Sequence, residues 1–158
     1  MKLLERGARI SAVLAGVLLT VITLMTCVSL IGRNTTGWTL VGDVEISGFV
    51  AGAAIALFMP WCQLRRSNIM VDFFTARASA ATQLLLDRFG ALLLALAMGL
   101  MTWRTAAGGL SAWASHAGSM MLGLPEWTVY CFMVPAFLLS TLIALAQAFR
   151  GFEIESAA

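Results

Sequence analysis

The chain has 158 residues, 60% hydrophobic and 11% charged, with a formal net charge of +2. A soluble domain usually carries about 25% charged residues, so this composition excludes an ordinary water-soluble fold. The small net charge gives no reason to expect a nucleic acid or other polyanion as partner.

The first uncharged run is 10–32, between Arg9 and Arg33. A helix needs about 20 residues to cross roughly 30 Å of hydrocarbon, and this run has them. Its basic start (Lys2, Arg6, Arg9) is also that of a secretory signal. The apolar stretch is longer than a signal's apolar core and ends without a small-x-small cleavage site, so an uncleaved span is expected. The second span is expected over about 44–64, with Asp43 and Glu45 at its head and Arg65 just past its end.

The third span is less clean. The uncharged run 89–103 has 15 residues, which cover about 22 Å. The span is therefore expected over about 84–104, with Asp87 and Arg88 at the interface, where long side chains snorkel. The stretch 105–125 is rich in Ala, Gly and Ser. It is expected outside the bilayer core, as an interfacial hairpin or a short in-plane helix. The fourth span is expected over about 127–149, between Glu126 and Arg150, bent at Pro135. The chain 1–158 thus reads as one all-α membrane domain of four transmembrane helices.

Between the second and third spans lies the longest loop. Ile69, Phe73 and Phe74 can share an apolar face there, while Arg65, Arg66 and Arg77 reach anionic headgroups. This is the pattern of a short amphipathic helix lying in the plane of the cytoplasmic surface. Pro60 near the end of the second span would turn the chain into that plane.

Orientation follows from lysine and arginine. Lys2, Arg6, Arg9, Arg65, Arg66, Arg77, Arg88 and Arg150 fall on one side, and only Arg33 and Arg104 on the other. Positive residues favour the cytoplasm, so both termini are expected inside, in a multi-pass protein. Trp38, Trp103, Trp113 and Trp127 fall towards outer ends and Trp61 at an inner end, as aromatic belts do.

Small residues recur every four positions: Ala12, Gly16 and Thr20; Gly48, Gly52 and Ala56; Ala91, Ala95 and Gly99. Such stripes let helix backbones approach closely in lipid, which supplies no hydrophobic push of its own. They suit a compact monomeric bundle and a docking face for a partner equally. Asp43 and Glu45 also carry two readings. They can cap the second helix, where the macrodipole favours negative charge. Alternatively they make polar contacts, with a partner helix or with Arg33 or Arg104.

The three cysteines, Cys27, Cys62 and Cys131, stand singly in apolar stretches. They form no redox or zinc motif and are expected as buried, inert thiols. His116 is the one histidine, too few for a haem or zinc site. No carboxylate lies deep in a span, and no phosphate-binding loop appears. No cofactor and no catalysis are expected. A self-contained exporter or channel acting as a homo-oligomer stands as the alternative to a subunit role.

The stretch 38–74 resembles the small membrane subunit of tripartite ATP-independent periplasmic (TRAP) transporters. The resemblance rests on Gly42-Asp43-x-Glu45, on Pro60, Cys62, Gln63 and Leu64 leading into Arg65, and on Ile69-x-Val71-Asp72-Phe73-Phe74. Gly123-Leu124-Pro125-x-Trp127 and Tyr130 add to it. It implies a scaffold in the bacterial inner membrane. Its expected partners are a large membrane subunit and a periplasmic substrate-binding protein. Together these would import organic acids such as carboxylates on an ion gradient, with sodium the expected ion. On that basis Asp43, Glu45, Gly48 and Gly52 are candidates for partner contact. Arg65, Arg66, Asp72 and Arg77 are candidates for holding the inner loop at the membrane surface.

Overall fold

The computed structural model describes residues 2–38, 40–65 and 80–150. The expected in-plane helix, with Arg66, Asp72 and Arg77, lies outside the described residues. Four helices account for most of the rest: α1 (Lys2–Thr35), α2 (Asp43–Leu64), α3 (Ala80–Ala114) and α4 (Trp127–Arg150). All four are long and apolar enough to cross a membrane. The class is all-α: the described residues hold no β-strand, only one isolated bridge between Gly118 and Pro125. The physical reason is that lipid leaves no partner for backbone N–H and C=O, so each segment must satisfy its own.

The helices differ in length. α2 and α4, at 22 and 24 residues, run about 33–36 Å and match the bilayer. α1 and α3, at 34 and 35 residues, run about 50 Å and must tilt or project. The first turns of α1 are polar, with Arg9 and Glu5 3.9 Å apart, one helical turn from each other. Asp43 to Leu64 continues through Pro60, and Trp127 to Arg150 through Pro135, as unbroken helices.

The packing order is α1, α2, α4, α3. Among the described helices, α2 lies against α1 and α4, α1 also meets α4, and α3 touches α4 alone. The core is built of small residues: Ala15, Ala54, Ala56 and Ala136, around Leu57 and Phe137. On α1 the inward residues are Leu4, Ala8, Ser11, Ala15, Leu18, Ile22, Met25 and Ser29, all buried or half-buried. Alternating steps of four and three make this a coiled-coil-like seam. The expected stripe of Ala12, Gly16 and Thr20 sits beside it. Thr20 is exposed, bonding only its own helix at the Gly16 carbonyl, and Gly16 faces open space. The cysteines are not buried as expected: Cys27 and Cys131 are exposed and Cys62 is half-buried. In a helix surrounded by lipid, an exposed apolar thiol costs nothing.

α3 corrects the expected third span. The helix does not end near 104 but runs to Ala114, so 105–114 is neither hairpin nor in-plane helix. The Ala91, Ala95 and Gly99 stripe turns inward onto α4, with Ala91 and Ala95 buried and Gly99 against Thr141. The antiparallel register is fixed along its length. The Trp113 ring meets the Trp127 ring edge-on, with centroids 4.7 Å apart. Gly108 and Gly109 fit around Tyr130. Thr102 Oγ1 lies 3.4 Å from Thr141 Oγ1. Arg104 therefore falls opposite the middle of α4, near Ala136, about 14 Å along the helix from Trp127. It had been expected at the membrane edge, and so had Trp103 beside it. A charge in an apolar run looks like a helix boundary in sequence, but here the helix runs on past it to Ala114.

Candidate functional site

The first turn of α2 and the 115–126 connection form one polar assembly. The connection is a tight hairpin. Ser119 N–H donates to the Leu124 carbonyl at 2.9 Å, Gly123 N–H to the Ser119 carbonyl at 3.0 Å, and Glu126 N–H to the Ala117 carbonyl at 3.0 Å. Leu124 N–H also donates to Ser119 Oγ at 3.1 Å. Gly123 sits at φ 64 and His116 at φ 50. The left-handed region suits glycine and is uncommon for histidine.

Glu45 holds this hairpin. Its carboxylate accepts the N–H of Met121 at 2.8 Å and that of Leu122 at 3.1 Å. Charge-assisted bonds of this kind are the stronger class. Gly42, the residue before α2, completes the fit. It has φ 78, and a Cβ built on it would lie 2.4 Å from Leu122 Cγ. Conformation and space both demand glycine there. Beyond the clamp, Met120 is fully exposed and Met121 largely so.

Asp43 does a second job. It accepts the buried Ser29 hydroxyl at 2.7 Å, tying α1 to the head of α2. The N-cap is Gly42, with no side-chain cap bond. Both carboxylates still sit in the first turn, where the helix dipole favours them, but their bonds run to other segments. The expected pairing of Glu45 with Arg33 or Arg104 is not formed. Among the described residues the one ion pair is Arg9–Glu5.

Gly48 and Gly52 point elsewhere. Among the described residues, neither has an atom of another segment within 4 Å of where a Cβ would be. With the exposed Val44 and Ile55 they make an open face on α2. The third member of that stripe, Ala56, is buried in the core. At the other end of the helix, the Arg65 guanidinium stacks over the Trp61 ring, 4.9 Å from its centroid.

A further polar pair joins α2 to α4. Gln63 Nε2 donates to Gln147 Oε1 at 2.8 Å, and Gln147 Nε2 donates to the Gln63 carbonyl at 3.1 Å. Both side chains are buried. The sequence signal for it is two glutamines inside otherwise apolar runs. Together with Ser29–Asp43 and Glu45–hairpin, it pins α2 at both ends.

Two apolar grooves open on the surface. One, of about 190 Å³, lies between α2 and α4 under the hairpin, lined by Phe49, Ala53 and Phe132 among others. The other, of about 420 Å³, lies between α3 and α4 beside Arg88, Phe89 and Phe149. Among the described residues no cluster of His, Cys, Asp and Glu is arranged to hold a metal ion. The assembly can hold a loop and present helix faces.

No curated protein and no solved structure matches this chain. A family profile does, over residues 22–154. It describes the DctQ component of tripartite ATP-independent periplasmic transporters. The match covers the latter part of α1 and all of α2, α3, the clamped hairpin and α4, and this chain therefore belongs to the DctQ component family of those transporters.

Proposed function

We propose that this DctQ-family subunit is a membrane scaffold with no chemistry of its own. It works with a large membrane subunit and a periplasmic substrate-binding protein. The assembly imports organic acids such as carboxylates, driven by a sodium gradient. The chain lies in the bacterial inner membrane with both termini in the cytoplasm and the 115–126 hairpin in the periplasm. The asymmetry of its basic residues supports that orientation.

The observation that carries the scaffold reading is the open face of α2. Gly48 and Gly52 sit where a second backbone could approach, and nothing among the described residues fills the space. In lipid, such a gap is the packing device between helices. Asp43 and Glu45 hold the rim of that face in place and are proposed as partner contacts with it. Arg65, Arg66, Asp72 and Arg77 are proposed to hold the inner loop at the cytoplasmic headgroups.

The test is reconstitution. Vesicles holding both membrane subunits, given the binding protein and an inward sodium gradient, should accumulate a carboxylate. Vesicles lacking this chain should not. Uptake by vesicles holding this chain alone would overturn the reading in favour of a self-contained transporter. A reporter fused at Arg77 should be active only on the cytoplasmic side.

A further inference from the structure

We propose that Arg104 is an intramembrane docking charge, paired in the assembled transporter with an Asp or Glu on a helix of the large membrane subunit. This rests on the subunit reading above and names one contact within it.

Three observations converge. The first is depth. The register of α3 on α4 sets Arg104 opposite the middle of α4, close to the centre of a bilayer about 30 Å thick. The second is isolation. Arg104 is exposed and makes no ion pair or hydrogen bond among the described residues. The third is its face. Leu93, Ala97, Leu100, Arg104, Ala107 and Ser111 are all exposed and alternate in steps of four and three. That is the spacing of a helix-docking seam, on the side of α3 turned away from Ala95 and α4.

An arginine at this depth needs an anion. Placing one in mid-bilayer is costly, and such residues pair with one another or mark functional contacts. Arginine also keeps its charge where lysine can shed a proton. A lipid phosphate is badly placed to serve. Side chains lean toward the N-terminus of their own helix, which here points away from the hairpin end and the nearer membrane surface. A second copy of this chain offers no carboxylate at that level. In its helices the carboxylates are Glu5 near the start of α1, Asp87 near the start of α3, and Asp43 and Glu45 at the head of α2, the last two already bonded to Ser29 and the hairpin. An acidic residue on another subunit's helix satisfies both depth and charge. The small residues Ala97, Ala107 and Ser111 around Arg104 let that helix come close.

The test uses this chain co-expressed with the large membrane subunit of its own transporter, purified through a tag on one of them. Arg104→Met keeps the length of the side chain and removes the charge. It should lower recovery of the large subunit at least about tenfold, which corresponds to about 1.4 kcal/mol. The same variant, purified alone in detergent, should melt no lower than wild type. A photo-crosslinking residue at position 104 should give an adduct with the large subunit. Arg104→Glu should abolish assembly, and reversing the charge of the crosslinked partner's acid should restore it. Wild-type recovery from Arg104→Met, a lower melting point of that variant alone, or adducts only with lipid or a second copy would each overturn the proposal. If the wild-type chain itself fails to recover the large subunit, the subunit reading falls first and this contact with it.

Discussion

α2 and α3 solve the same problem of standing in lipid in opposite ways. α2 is held from two sides and at both ends: Asp43 by Ser29, Glu45 by the hairpin, Gln63 by Gln147. α3 is half as long again yet leans on α4 alone. Its inward stripe is made of Ala, Gly and Thr, and Arg104 faces outward with no partner among the described residues. Among the described residues no buried side-chain polar atom lacks a bond. Cohesion inside this chain therefore uses its polar groups up, and what is left over, on α3 and on one face of α2, is available to something else.

The contrast can be broken most severely at the α3–α4 seam. A Cβ at Gly109 would lie 2.9 Å from Tyr130 Cβ, whereas at Gly99 it would meet Thr141 at an ordinary 3.6 Å. Gly109→Leu should push α3 off its single neighbour, costing at least the roughly 1–3 kcal/mol typical of overpacking. Gly99→Ala should be tolerated. Melting in detergent, followed by a cysteine crosslink between α3 and α4, checks both. Equal tolerance at the two glycines would mean that α3 is not docked in this register.

The amide pair comes next. Gln147→Ala removes both bonds between the two residues, at a cost of about 1–3 kcal/mol. Replacing both glutamines by leucine removes the demand along with the bond and should cost less than the single change. A double variant worse than the single would show that the pair contributes more than its own satisfaction. Smaller still is Gly42→Ala. The left-handed φ should cost about 1–2 kcal/mol for any L side chain, and the clash with Leu122 adds to it. Adding Leu122→Ala should recover the clash and leave the backbone cost, which the melting points of the two variants separate.

Much of this architecture could be read from the residues because lipid imposes a simple rule. Long uncharged runs had to be helices, and the second and fourth runs are bounded by charges close to both true helix ends, the first run at its C-terminal end. The third failed for the same reason the others worked: Arg104 was read as a border, although one charge on an outward face does not end a helix. Packing faces were harder. Every face of a span is apolar, so Ala12–Gly16–Thr20 and Ala8–Ala15–Ser29 look alike until the neighbour is placed. The link from Glu45 to Met121 and Leu122 spans more than 70 residues, and no local pattern announces it. Gln63 and Gln147 did carry a signal, since a polar residue in a span asks for a partner.

The mildest change within the chain should be the most informative outside it. Gly48 and Gly52 have no neighbour to meet an added side chain, so Gly48→Leu and Gly52→Leu should shift the melting point of the isolated protein little, within about 0.5 kcal/mol. Leucine is also the better helix former, so a small gain is as consistent as no change. A second helix packed against this face would instead meet two bulky side chains where it had met backbone. The same variants should then lose the large membrane subunit on co-purification, with the isolated chain intact. Alanine at both positions should be intermediate, because a methyl group widens the approach less than an isobutyl group does. Full assembly of the leucine variants would move the docking surface off α2 and turn attention to the Arg104 face of α3.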